Sequence, residues 1–265
     1  MNKKIVMSLA VIAAATAVMA GGTIAYFSDT EESTGNTFTA GNIDLKIDSQ
    51  CHYGSGNCPD ANSTWALTDL EAGVHKFFNF DDIKPGSWGE NTISLHVDDN
   101  PAWAWMKIDA VQNLENGCNE PEGKVDTTCG TPGNGEGELA NNLHYLVWQD
   151  TYDGGGVHAC NNQLDAGEHI FKTNEAISSC EVIKLSKGCG PTGCGDYVPL
   201  DPDTTYCVGV SWCAGNWVVN SAGGYDCDGL AIGNEAQGDS LNLDVEFAVI
   251  QSMNNPNGDG GPTCQ

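Results

Sequence analysis

Six segments of the chain alternate between apolar and other residues, and this alternation limits the possible folds more than any other feature. The segments are residues 43–48, 93–98, 103–108, 143–148, 206–213 and 241–249. A repeat of two residues is typical of a β-strand with one buried face. Segment 241–249 is the most regular of the six, and we expect it to be a central strand of a sheet.

Long stretches rich in Gly, Asn, Asp and Pro separate these segments. They are residues 54–63, 116–142, 153–167, 186–204 and 220–240. Helix signals are few, with a turn or two expected at 182–186 and at 230–237. Many short strands, long loops and almost no helix indicate an all-β domain over residues 43–253, a β-sandwich or jelly roll. The turn-rich tail, 254–265, is expected to be mobile unless Cys264 fixes it.

The N-terminus has the layout of a secretory signal peptide. Two lysines precede a small-apolar run over residues 5–20, and small residues follow. The run is shorter than the roughly 20 residues that a membrane span needs, and no second hydrophobic segment follows, so we expect no stable span after cleavage. An uncleaved N-terminal anchor is the alternative. The bonds after Ala20 and Ala25 both suit a signal peptidase, and the local residues do not separate them.

The chain is strongly acidic, with a net charge of −26. Residues 1–25 hold two lysines and no acidic residue, so their removal gives −26 − 2 = −28. Such a surface repels nucleic acid and anionic lipid, attracts divalent cations, and opposes self-association unless the charge is screened.

Twelve cysteines in an exported chain predict a disulfide framework. They are Cys51, Cys58, Cys118, Cys129, Cys160, Cys180, Cys189, Cys194, Cys207, Cys213, Cys227 and Cys264. No two are spaced as Cys-x-x-Cys, which disfavours a thiolate metal site. The spacing leaves the connectivity open, except that Cys207 and Cys213 lie about 20 Å apart in a straight strand and should not pair with each other.

No catalytic motif is present. The chain lacks His-Glu-x-x-His and Gly-x-Ser-x-Gly, and we interpret His158 and His169 as loop or strand-end residues. Trp103 and Trp105 lie on one side of one segment, where they would either pack in a core or form a stacking face for sugars.

One pair of loops mixes carboxylates, amides and glycines in the way that calcium sites do. The candidate ligands are Asp150, Asp153, Asp165 and Glu168. Their order does not match an EF-hand, and a solvated turn is the alternative interpretation.

The N-terminal region resembles the TasA/camelysin family. The matching stretches read GGTIAYFSDT at residues 21–30 and NTFTAGNIDL at 36–45, and the turns at 81–86, 198–206 and 234–240 follow in a similar order. The resemblance implies a secreted jelly-roll protein that a SipW-type signal peptidase cuts between Ala25 and Tyr26.

The resemblance further implies a function for the freed N-terminus. In the family, the N-terminal segment of one subunit adds a strand to the next subunit, which builds an extracellular or cell-surface filament of the biofilm-matrix kind. Here the donor segment would occupy residues 26–42 and begin with Tyr26, Phe27, Ser28, Asp29 and Thr30. Two rival functions are a camelysin-like surface metalloendopeptidase and a monomeric glycan-binding module.

Overall fold

Nearly all regular structure in the protein is antiparallel β-strand. The computed structural model describes residues 43–150, 160–177, 179–190, 193–253 and 255–264, with the backbone alone at 189–190 and 193–194. The strands are β1 (Asp44–Tyr53), β2 (Gly56–Asn57), β3 (Trp65–Thr68), β4 (Trp88–Asp98), β5 (Ala102–Glu115), β6 (Gly133–Asn134), β7 (Leu143–Gln149), β8 (Ile170–Ala176), β9 (Glu181–Lys184), β10 (Lys187–Gly190), β11 (Gly193–Tyr197), β12 (Thr205–Ala214), β13 (Asn216–Val219), β14 (Tyr225–Asp228) and β15 (Ser240–Gln251). Helix in these ranges is limited to α1 (Leu139–Asn142) and to 3-10 turns at Ala61–Ser63, Glu122–Lys124 and Gly229–Ala231.

Two antiparallel sheets form the sandwich. The larger sheet has the order β2-β1-β4-β12-β7-β8, and β3 also pairs with β1. The smaller sheet has the order β15-β5-β6, and β9 also pairs with β5. The chain passes repeatedly from one sheet to the other: β4, β7, β8 and β12 belong to the larger sheet, and β5, β9 and β15 belong to the smaller one. The predicted all-β sandwich is confirmed.

The apolar faces of the two sheets meet in the main core. Side chains such as Ile93, Leu95 and Val208 come from the larger sheet, and Met106 and Ile108 come from the smaller one. All five are at most 3% exposed. The period-two alternation of the sequence therefore directs the apolar residues of both sheets into one shared interior.

A second apolar cluster covers the outer face of the larger sheet. Leu146 and Trp148 of β7 point there and pack with Leu164 and Trp217. Trp148 is fully buried, and the backbone of β12 approaches it so closely that a Cβ atom at Gly209 would lie 2.1 Å from its ring. The central strands of the larger sheet are thus buried on both faces.

The structure confirms all six predicted strands and corrects three details. Segment 241–249 lies in β15, which is an edge strand among the described residues and not a central one. Segment 182–186 is not helical, because most of it lies in β9, which pairs with Trp105–Ile108 of β5. The other predicted helix, 230–237, contains only the end of the 3-10 turn Gly229–Ala231.

Among the cysteines whose side chains the structure describes, five disulfides join all ten. The pairs are Cys51–Cys58, Cys118–Cys129, Cys160–Cys207, Cys180–Cys264 and Cys213–Cys227. Cys207 and Cys213 bond to different segments, as predicted. Cys189 and Cys194 occupy facing register positions of the β10–β11 hairpin, and their side chains lie outside the described part. Several disulfides in one domain are typical of an extracellular protein. No helix in the described ranges is long and apolar enough to span a membrane.

The C-terminal tail packs on the outer face of the smaller sheet, and Cys264 fixes it, which is the exception that the sequence analysis allowed. The Cys180–Cys264 bond holds it, and the Trp103 indole N–H donates to the Asn255 carbonyl at 2.6 Å. Cβ atoms at Gly258 and Gly261 would lie 2.7 Å from the Trp103 ring and 2.6 Å from the Trp105 ring.

Candidate functional site: the free edge of the smaller sheet

β15 presents a long unpaired edge. It pairs with β5 from Ser240↔Leu114 to Gln251↔Ala102, and no other described strand lies on its far side. In an edge strand, the backbone N–H and C=O groups of every second residue point away from the one strand with which it pairs. The twelve residues of β15 therefore offer a template on which another extended segment can form hydrogen bonds.

The apolar face of β15 is incompletely covered. Its inward-facing residues Leu243, Val245 and Phe247 pack against the core but remain partly exposed, whereas their neighbour Met106 on β5 is fully buried. The centroids of the Phe77 and Phe247 rings lie 5.5 Å apart. Phe77 belongs to a loop, and its ring covers part of this apolar face. An added strand beside β15 would bury more of this apolar surface.

The other outermost strands are poorer templates, since β2, β3, β6 and β9 have only two to four residues each. β8, at one end of the larger sheet, has seven residues, and its pairing with β7 is irregular at two points. Its Lys172 forms an ion pair with Glu181, and Asn174 has a φ of 55°. Short, irregular edges that carry charges resist strand addition. Among the described edges, β15 is thus the best candidate for assembly.

The predicted cleavage site and the predicted donor segment lie outside the described part of the chain. Ala25, Tyr26, Phe27, Ser28, Asp29 and Thr30 all lie outside the described residues. The first described residue, Ile43, packs against the core just before β1. Residues 26–42 form a 17-residue segment, which spans at most about 60 Å when extended.

The predicted calcium ligands are only partly brought together. Asp150 is fully buried, and its carboxylate accepts the backbone N–H groups of Asn161 at 3.3 Å and Asn162 at 3.0 Å. Asp165 accepts the Asn161 side-chain amide at 2.7 Å, and Glu168 accepts the Asp165 N–H at 2.9 Å. These carboxylates thus anchor their own loop, and Asp153 lies outside the described residues. Calcium binding at this loop stays a prediction.

Glu90 is the centre of a buried polar cluster that the sequence did not indicate. Its carboxylate accepts hydrogen bonds from the Tyr225 hydroxyl and, at 2.6 Å, from the Asn162 amide. Burial raises its pKa to about 7, and the nearby charge of Asp150 adds to the rise. His52 lies beside it, with 3.9 Å between the imidazole Nδ1 and Glu90 Oε1. The partners of Glu90 are distant from it in sequence, so no local pattern around Glu90 could have indicated the cluster.

The residues considered for the rival functions lie in ordinary structural positions. His169 packs edge-on against Phe171, burial lowers its pKa, and His158 lies outside the described residues. None of the described His, Cys, Asp and Glu groups with metal-binding spacing contains a histidine. Trp103 and Trp105 are each 5% exposed beneath the tail, so the core interpretation holds for both rings.

Comparison with known proteins supports the N-terminal resemblance. The family model described as camelysin metallo-endopeptidase matches residues 1–53, which is 53 of the 265 residues. The match ends with β1 and does not reach β15. No curated protein matches the chain. The resemblance to the TasA/camelysin family is therefore confirmed for this N-terminal region.

Proposed function

We propose that the protein is a structural subunit that polymerises into extracellular or cell-surface filaments by donor-strand addition. The observation that carries the proposal is the free, twelve-residue edge of β15 above an incompletely covered core. The donor is the N-terminal segment of a second copy, beginning at Tyr26 and Phe27. Because donor and acceptor are different surfaces of the chain, the contact is head-to-tail and does not close.

Export and cleavage precede assembly in this account. A signal peptidase cuts between Ala25 and Tyr26, which frees an aromatic pair at the start of the donor. The subunit then carries a charge of about −28, and like charges on neighbouring subunits repel over about 8–10 Å at physiological ionic strength. The apolar burial gained along β15 has to exceed this repulsion. N-terminal sequencing of the exported chain should return Tyr26 as its first residue.

Removal of residues 26–34 tests the donor role. The truncated chain lacks the first nine residues of the donor segment but keeps β15, so we expect a folded monomer that forms no filaments by electron microscopy. Because it still accepts a strand, it should also act as a chain terminator and shorten filaments when mixed with the mature protein at low ratios. Unchanged circular dichroism and melting temperature would serve as the folding control. Normal filaments from the truncated chain alone would refute the proposal.

The family match also favours one rival, a surface metalloendopeptidase. The description of the matching family model names this activity. Assay of the purified protein on denatured protein substrates, with and without chelator, separates the two functions. Chelator-sensitive cleavage by a preparation that forms no filaments would favour the peptidase.

A further inference from the structure

Five carboxylates converge where one end of the smaller sheet meets its loops. Glu115 is the last residue of β5, and Asp239 directly precedes β15. Glu138 precedes α1, while Glu122 and Asp126 belong to the loop that the Cys118–Cys129 disulfide closes. Their ligand atoms form two groups, Glu115–Asp126–Glu138 and Glu115–Glu122–Asp239, and within each group these atoms lie within 4.8 Å of one another. Glu115 is common to both groups.

Backbone N–H groups orient most of these carboxylates through one oxygen. The Gly117 N–H donates to Glu115 at 2.6 Å, and the Asn119 N–H donates to Glu122 at 3.1 Å. The Thr128 N–H donates to Asp126 at 2.7 Å. The N–H groups of residues 138 and 139 donate to Asp239 at 2.6 and 3.1 Å. Such contacts fix ligands in the way that outer-shell partners of a metal site do.

The second oxygen of every carboxylate is buried and has no hydrogen-bond partner. These atoms are Glu115 Oε2, Glu122 Oε1, Asp126 Oδ2, Glu138 Oε2 and Asp239 Oδ1. The residues Glu115, Glu122 and Asp126 are only 3%, 0% and 9% exposed. Buried acceptors without a partner are costly, and native structures contain few of them. Five in one cluster indicate a missing positive partner.

No cation among the described residues balances this charge. None of the ion pairs among the described residues includes a member of the cluster, and the nearby Lys124 pairs with Glu120 at the surface. Burial, together with the neighbouring carboxylates, raises the pKa of Glu138 to about 7 and that of Asp239 to about 6. Burial and the repulsion between neighbouring carboxylates therefore both disfavour the negative charge of the cluster.

We propose that this cluster binds calcium, with Glu115 as the shared ligand of the two groups. All the donor atoms are oxygens, which hard cations prefer, and the two nearby cysteines are joined in a disulfide and offer no thiolate. Calcium takes ligands at about 2.3–2.6 Å, so two oxygens on one ion lie no more than about 5 Å apart. The observed limit of 4.8 Å satisfies this condition.

The position of the cluster gives calcium a structural effect. Its ligands come from the end of β5, the start of β15, the disulfide-closed loop and the residue before α1, which are distant in sequence. Two side-chain contacts already link these loops, from Asn116 to the Gly238 carbonyl and from Asn119 to the Gln237 carbonyl. A bound ion would fasten the end of the smaller sheet, and ligand binding to the folded state raises its stability.

Calorimetric titration and thermal unfolding of the exported chain test the site. After chelator treatment, calcium should bind at one or two ions per chain and raise the melting temperature, whereas sodium chloride of equal ionic strength should not. The Glu115→Gln variant should bind calcium at least roughly tenfold more weakly, because it removes the shared charged ligand. Without calcium the same variant should melt at or above the wild-type temperature, since one of five repelling charges is gone.

Two further variants complete the design. Asp165→Asn changes the other candidate loop and should keep the full calcium response. Glu138→Gln, at a half-buried position, provides a second test of the cluster if Glu115→Gln does not fold. Equal effects of calcium and sodium on the wild type, or a wild-type calcium response in both cluster variants, would overturn the proposal. Loss of the response only in Asp165→Asn would instead assign calcium to the loop at 160–168.

Discussion

The packed C-terminal tail should contribute a large share of the stability of the domain. The perturbation that tests this is removal of the Cys180–Cys264 disulfide by changing both residues to Ser. This bond links residues 84 apart in sequence. In the chain-entropy account, a disulfide that closes a loop of that length raises the free energy of unfolding by about 4.5 kcal/mol at 25 °C. A domain is typically stable by about 5–15 kcal/mol, so the loss would be a large fraction of the total.

The Cys51–Cys58 disulfide provides a matched control. Its residues are only 7 apart, and the same relation gives about 2.4 kcal/mol. Removal of the tail bond should therefore cost about twice as much as removal of the control bond. Deletion of residues 255–265, with Cys180 also changed to Ser, should cost up to about 5 kcal/mol more, because it uncovers roughly 200 Å² of the Trp103 and Trp105 rings.

Urea unfolding at 25 °C, followed by tryptophan emission, measures these differences. The tail deletion should also shift the native emission to longer wavelength, since two indoles become hydrated. A Cys180/Cys264 variant no less stable than the Cys51/Cys58 variant, together with unchanged native emission in the deletion, would refute the packed tail.

Three further outcomes are expected. The folded-state pKa of Glu90 is raised from 4.5 to about 7. Its contribution to stability is therefore complete below about pH 4.5 and is lost as the pH rises through 7. In urea titrations, the free energy of unfolding of Glu90→Gln relative to wild type should rise by roughly 3 kcal/mol from pH 4 to pH 8. Gly209→Ala should cost roughly 3 kcal/mol or more, since its Cβ would overlap the buried Trp148 ring, while Gly56→Ala at an open position should cost little. Thiol labelling of the unreduced, denatured chain should find no reactive cysteine, and two or more per chain would contradict the disulfide framework.

The strands could be predicted because their signal is local. Alternation along 241–249 predicts that one face of β15 is buried, and Asp244 and Glu246 on the other face are indeed exposed. The same alternation does not reveal whether a strand has one neighbour or two. β4 is central and alternates just as regularly over residues 93–98, although a second apolar cluster also covers the outer face of its sheet. Regular alternation therefore predicts a strand with one apolar face but does not separate an edge strand from a central one, because the edge position depends on pairing that is not local.

The acidic cluster could not be predicted for the same reason. Glu115 and Asp239 are 124 residues apart and meet because β15 pairs with β5. In a chain with 36 acidic residues, no local pattern separates these five from solvated ones. The sequence predicts calcium binding at the loop 150–168 because the carboxylates of that loop are close together in sequence. In the described part of that loop, the carboxylates of Asp150 and Asp165 accept hydrogen bonds from the loop itself, which the sequence does not reveal.

Electron cryo-microscopy of filaments formed by the exported protein tests the central claim most directly. At a resolution that traces the chain, the map should contain one extra strand hydrogen-bonded along the free edge of β15. Its side chains should fit the segment that begins at Tyr26 and Phe27, and it should continue into the neighbouring subunit. Filaments in which the β15 edge stays unpaired, or in which subunits join through β8, would contradict donor-strand assembly at this edge.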